Sequence, residues 1–123
     1  MSLDGLGPVL QVLADGGMVG IYPEGTRSPD GRLYKGRTGV ARLALAAGVP
    51  VVPVAMADTQ KVKKFGIPWI WKPRIRIGKP LDFTAYAGLH DDRETLRWVT
   101  DEVMNGIMEL SGQTYVEAYG TSL

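Results

Sequence analysis

Five basic residues, Arg27, Arg32, Lys35, Arg37 and Arg42, crowd one stretch of the chain in which only Glu24 and Asp30 carry negative charge. They are interleaved with Gly25, Gly31, Gly36 and Gly39. Arginine presents a rigid fork that matches phosphate oxygens, lysine supplies a mobile point charge, and glycine lets backbone amides approach an anion closely. The chemistry this pattern suits is the binding of a phosphate. Glu24 has two roles open to it, orienting Arg27 within a site or forming an ordinary, weak loop salt bridge with it. Gly31, Gly36, Arg37 and Thr38 also spell G-x-x-x-x-G-R-T, one substitution from a nucleotide-binding P-loop. Against the P-loop, Pro23–Asp30 separates the motif from the preceding apolar run, and Arg37 stands where lysine is required. Either way, the anion is expected near a helix start at Thr38.

Nucleophilic and metal chemistry have little material here. The chain has no cysteine and a single histidine, His90, so a disulfide framework and thiolate metal sites are excluded and a histidine-based zinc site is poorly supplied. His90 reads as an exposed residue in a loop before a helix. A reducing, intracellular location follows as the default.

The elements that must position the basic loop follow from periodicity. With 123 residues, 45% hydrophobic and 22% charged, the chain fits one globular domain with one modest core. Leu6, Val9, Leu10 and Leu13 recur at helical spacing before Gly16 and Gly17, which predicts a helix over about Leu3–Asp15. Met18–Tyr22 reads as a short buried strand and Pro23–Gly36 as a loop. Thr38 then precedes a helix whose apolar face is Val40, Ala41, Leu43, Ala44 and Ala47 and whose cap is Gly48. Val49–Ala57 reads as a second strand, and strand, helix, strand implies a parallel, right-handed crossover.

Downstream, Asp58–Pro73 reads as a long loop and Arg74–Ile77 as an edge or half-exposed strand. Leu96, Val99, Val103, Ile107 and Leu110 mark a long helix over Asp92–Leu110, with Asp91 or Asp92 as its cap. A short helical piece is expected through Tyr115 and Tyr119. The fold class is therefore α/β. No run approaches the length of a membrane-spanning helix, and Met1–Leu10 lacks the basic start and apolar middle of a secretory signal.

Two ordered motifs carry a resemblance to a known family. Tyr22–Arg27, YPEGTR, with the basic loop through Lys35 and Gly36 after it, and Gly48–Ala55, GVPVVPVA, closely resemble the third and fourth motifs of the glycerolipid acyltransferases, most nearly the 1-acylglycerol-3-phosphate acyltransferases. The resemblance extends over most of Leu10–Pro80. It implies acyl transfer from acyl-CoA or acyl carrier protein, as co-substrate, to the free hydroxyl of a lysophospholipid in phospholipid biosynthesis. It implies no bound cofactor. It also implies that Glu24, Gly25, Thr26 and Arg27, with Lys35 as a helper, bind the acceptor's phosphate, and that Pro23, Val52 and Pro53 support the site.

The same family uses a histidine with an aspartate five positions on, the histidine acting as general base. That pair is expected upstream of the EGTR segment, but here the only histidine is downstream and Thr95 occupies the position five beyond it. The expectation is a partial glycerolipid acyltransferase-like fold, a mixed or parallel sheet with flanking helices lacking the amino-terminal part. The chain would then be the carboxyl-terminal part of a longer acyltransferase, with Met1–Leu3 as an added leader. It would be inactive by itself, and uncovered surface would favour self-association. The alternative is a non-catalytic anion- or nucleotide-binding α/β module.

One further segment is singled out by composition. Gln60–Pro80 holds seven lysines or arginines and no acid, while Asp82–Glu109 is acidic, an asymmetry that reads first as solvated faces and alternatively as a basic surface for phosphates or anionic lipid. Within the basic part, Lys63, Lys64, Phe65, Trp69 and Trp71 suit a membrane interface, single-stranded nucleic acid, or simple packing of the indoles under a loop. The family resemblance favours the membrane. The expectation is a peripheral protein at the cytoplasmic, inner face of a membrane, with a lysophospholipid and an acyl donor as partners and no nucleic acid.

Overall fold

The computed structural model describes residues 6–25, 32–57 and 74–120, and the elements follow in the order helix, strand, helix, two strands, 3-10 helix, helix, strand. Helix α1 spans Gly7–Ala14, with Pro8 in its first turn, where a missing N–H costs nothing. Helix α2 spans Gly39–Ala47. It ends at Gly48, whose φ of 67° is left-handed and whose N–H donates to the Ala44 carbonyl. The buried face of α2 is Val40, Ala41, Leu43, Ala44 and Leu45, so Leu45 takes the place expected for Ala47.

Helix α3, Arg93–Ser111, is the longest element and the scaffold of the fold. Asp92 caps it, accepting from the Thr95 amide at 3.0 Å and the Thr95 hydroxyl at 2.6 Å. Leu96, Val99 and Val103 are buried as their spacing predicts, and Ala41, Leu45 and Phe83 complete the core, with Val51, Leu81 and Ile107 packed around it. The segment Thr84–Leu89 is a 3-10 helix that the sequence reading left unassigned. Its Tyr86, together with Phe83, packs on Trp98 of α3 at centroid distances of 5.3 and 6.1 Å.

Strand pairing departs from expectation. The run at 18–22 has no regular secondary structure, with Met18 93% and Tyr22 80% exposed. A strand is stabilised through a hydrogen-bonded neighbour, and no described residue supplies one to this run. The expected parallel strand, helix, strand unit is therefore absent from the described residues. The expected loop instead contains strand β1, Leu33–Tyr34. The expected second strand shortens to β2, Val54–Ala57, preceded by an isolated bridge from Val51 to Leu81.

Strand β2 pairs antiparallel with β3, Arg74–Ile77, and β3 is exposed along its whole length, as an edge strand is. Strand β4, Tyr115–Val116, replaces the terminal helix and pairs parallel with β1, Leu33 opposite Tyr115 and Tyr34 opposite Val116. The chain turns out of α3 at Gly112 and must return along β1. Those ladder bonds satisfy backbone groups that one more short helical turn would leave unpaired. The α/β class stands, as helices with two small sheets, one parallel and one antiparallel. No helix among the described residues is long and apolar enough to cross a membrane.

Candidate functional site

The first half of the EGTR segment forms a tight turn. Gly25 donates to the Tyr22 carbonyl at 3.0 Å and adopts φ 75°, a left-handed backbone that disfavours any residue with a Cβ. The space above it is occupied as well, since a Cβ there would lie 2.9 Å from Cδ of Arg37. The Arg37 amide donates to the Pro23 carbonyl at 2.8 Å, so Pro23 and Arg37 brace the two sides of the turn. Thr26 and Arg27 lie outside the described residues.

Glu24 faces inward. Its Oε2 accepts the Tyr34 amide at 2.9 Å, which ties the turn to β1. Burial pushes its carboxyl above the usual carboxylate range, and the Tyr34 hydrogen bond pulls the other way without cancelling the effect. The bond to Tyr34 makes Glu24 a support for the loop backbone.

Beyond β1 the chain passes through Gly36 with no room for a side chain. A Cβ there would come within 2.8 Å of Met104 Cγ and Thr100 Cγ2 on α3. This close approach fixes where Lys35 and Arg37 leave the backbone. Both reach the ring of Tyr119, Lys35 Nζ at 5.3 Å and Arg37 Cζ at 4.8 Å from its centroid. The ring is itself held. Arg97 Nη1 donates to the Tyr119 hydroxyl at 3.3 Å, while Arg97 Nε and Nη2 donate to Asp101 at 3.0 and 2.7 Å. Burial works against the Arg97 charge, but the Asp101 hydrogen bonds and charge outweigh it and raise its proton affinity. Burial also pushes the Tyr115 phenol up, aided by the Asp101 and Glu117 charges.

The structure thus gathers Pro23, Glu24, Gly25 and Lys35 of the predicted set into one loop cluster braced by β1. Val52 and Pro53 lie elsewhere. Val52 is 45% exposed just ahead of β2, while Pro53 is buried against Gly78 and Gly106 and its carbonyl accepts the Gly78 amide at 2.9 Å. In the described structure Pro53 locks β2 onto α3. Lys63, Lys64, Phe65, Trp69 and Trp71 lie outside the described residues. His90 is partly exposed ahead of α3, 3.4 Å from Asp91, and among the described residues no group of three or more acidic, histidine or cysteine side chains converges as a metal site.

Two side chains of the cluster, Arg37 and Tyr119, were not in the set of residues the family resemblance assigned to the site. Arg37 was visible as part of the basic loop, and its position directly after Gly36 is the signal that marks it. Tyr119 had no signal, because only the β1–β4 pairing carries it there. The P-loop pattern does not survive the geometry. Strand β1 falls between the two glycines of the motif, and Gly36 is spent on contact with α3. At the start of α2, Thr38 makes no side-chain cap.

Residues 4–57 match the family model described as Acyltransferase, a span that contains both YPEGTR and GVPVVPVA. The chain is 37% identical over 83 residues to a chloroplastic 1-acyl-sn-glycerol-3-phosphate acyltransferase of Brassica napus, covering 65% of this chain and 24% of that protein. A chloroplastic protein of the same name from Arabidopsis thaliana is likewise 37% identical over 83 residues, 65% of this chain and 23% of its own length. A 1-acyl-sn-glycerol-3-phosphate acyltransferase of Bacillus subtilis (strain 168) is 30% identical over 105 residues, 85% of this chain and 50% of that protein. The chain therefore spans between about a quarter and a half of the length of these relatives. No solved structure matches it significantly. The resemblance read from Tyr22–Arg27 and Gly48–Ala55 is borne out by the family match and by these relatives.

Proposed function

With the acyltransferase family's sequence in residues 4–57 as premise, we propose that this chain serves acyl transfer to a lysophospholipid, and that it supplies the part of the site that holds the acceptor's phosphate. The relatives are named for 1-acyl-sn-glycerol-3-phosphate, a molecule with one phosphate and one free hydroxyl to be acylated. The observation that carries the reading is the pair of cations, Lys35 and Arg37, held together beside the Glu24–Gly25 turn. Neither is in an ion pair with a described acid, so their charge is available to an anion.

In this reading Gly25 lets the turn approach the phosphate, Glu24 fixes the loop through Tyr34, and Arg27 and Lys35 contact phosphate oxygens. Thr26, the residue between Gly25 and Arg27 in sequence, belongs to the same proposed phosphate-binding set. The acyl donor, acyl-CoA or acyl carrier protein, is a co-substrate, and no resident cofactor takes part. The chain contains no histidine followed five positions later by aspartate, so it lacks the base that would take the acceptor's proton. By itself it binds and does not turn over. Contact with a membrane surface through Lys63, Lys64, Phe65, Trp69 and Trp71 would bring the lipid acceptor to the site.

The test is a titration of the purified chain with a short-chain, monomeric 1-acylglycerol 3-phosphate, followed by amide chemical shifts. Saturable shifts centred on Glu24–Arg37 are expected, abolished by Arg27→Ala and weakened by Lys35→Ala. Equal, unsaturable responses in all three proteins would refute phosphate binding. Acylation of the acceptor by the purified chain with acyl-CoA, lost on Arg27→Ala, would refute the assignment of the chain as binding only.

A further inference from the structure

We propose that Tyr119 is a positioning residue for the acceptor phosphate, its ring gathering the Lys35 ammonium and the Arg37 guanidinium into one two-cation cradle. The inference rests on the phosphate-binding reading of the loop and adds to it a residue from the far end of the chain. Two cations near one another repel, and two long side chains on an exposed loop lose conformational freedom when held still. Something must offset both costs before a ligand arrives. The negative face of an aromatic ring does so for each cation, and here one ring serves both, at 4.8 Å and 5.3 Å.

The ring is placed by contacts independent of the cations. The Lys35 amide donates to the Ala118 carbonyl at 2.9 Å, extending the β1–β4 pairing to the residue before Tyr119. The hydroxyl is tied through Arg97 to Asp101, two residues of α3. Glu24, the acid in the turn itself, is occupied by the Tyr34 amide. The result is positive charge held in place with no ion-pair partner among the described residues, which is what a dianionic phosphate needs and what lowers the ordering cost of binding it.

The geometry separates the ring from the hydroxyl, and so do the variants. Tyr119→Phe keeps the ring and drops the Arg97 link, while Tyr119→Leu drops both. Inorganic phosphate is titrated into each purified chain, and the Lys35 Hε and Arg37 Hδ resonances are recorded without ligand. Ring-current upfield shifts of both are expected in the unsubstituted chain and in Tyr119→Phe, and not in Tyr119→Leu. Phosphate affinity should stay within about twofold in Tyr119→Phe and fall about five- to tenfold in Tyr119→Leu, the loss expected from two exposed cation–ring contacts. Melting temperatures and amide spectra confirm that the fold is kept.

Affinity unchanged in a folded Tyr119→Leu, absence of the ring-current shifts, or an equal loss in Tyr119→Phe would each overturn the positioning role. Failure of the unsubstituted chain to bind phosphate while showing both ring-current shifts would instead refute the phosphate reading, and with it any purpose for the cradle.

Discussion

Gly36→Ala tests whether the loop is positioned by contact with α3. Gly36 is not among the glycines with a left-handed backbone, so an added methyl group raises no conformational objection. The obstacle is space. The new Cβ would sit 2.8 Å from Thr100 Cγ2, 2.8 Å from Met104 Cγ and 2.9 Å from Met104 Sδ, against an ordinary carbon–carbon separation of about 3.5–4.0 Å. Neither neighbour can easily yield. Thr100 and Met104 are both 0% exposed, and the Thr100 hydroxyl is held by the Leu96 carbonyl at 2.7 Å.

Overpacking of this kind costs about 1–3 kcal/mol, while replacing glycine by alanine recovers about 0.4–1 kcal/mol from the unfolded chain. A net loss of about 1–2 kcal/mol remains, which for a domain of this size lowers the melting temperature by about 4–8 °C. Thermal and urea unfolding followed by circular dichroism would measure it. Gly88→Ala is the control, because a Cβ at Gly88 meets nothing within 4 Å. Since Lys35 and Arg37 flank Gly36, phosphate affinity should fall with stability. A Gly36→Ala chain as stable as Gly88→Ala would refute the claim that the α3 contact sets the loop.

Leu45 is 2% exposed inside the core cluster, and Leu45→Ala should cost about 2–5 kcal/mol in urea unfolding, the transfer loss plus a cavity. Two carboxylates predict opposite pH trends. Asp92 is held below its usual range by its bonds to the Thr95 hydroxyl and amide, so its contribution is present above the unfolded value and lost as pH falls through the folded one. Asp92→Asn should remove that acid-side loss from the pH profile of α3 unfolding. Glu24 is raised by burial, so the folded chain keeps its proton longer than the unfolded chain, and stability declines as pH climbs from the ordinary glutamate range to the raised value. Glu24→Gln should flatten that window, and a slope left unchanged there would count against the burial of Glu24.

The two helices whose apolar residues return every third or fourth position, α2 and α3, were legible in the chain, together with the Asp92 cap and the Gly48 stop. Their signal is local, since one face buries whatever lies opposite. The strands were less so. One apolar candidate, Met18–Tyr22, has no strand partner among the described residues, whereas Leu33–Tyr34 and Tyr115–Val116 found each other across the chain. A strand's existence depends on its neighbour, and composition does not name the neighbour.

The site divides in the same way. The order of residue types alone determined that Glu24–Arg27 and the basic loop suit an anion, and that the motif pair resembles the glycerolipid acyltransferases. Only the tertiary structure decided that Gly36 is small because α3 passes against it, that Glu24 spends its carboxylate on the Tyr34 amide, and that Tyr119 meets Lys35 and Arg37. A charge or a glycine is written in the sequence, but what occupies the few ångströms beside it is set by the elements packed around it.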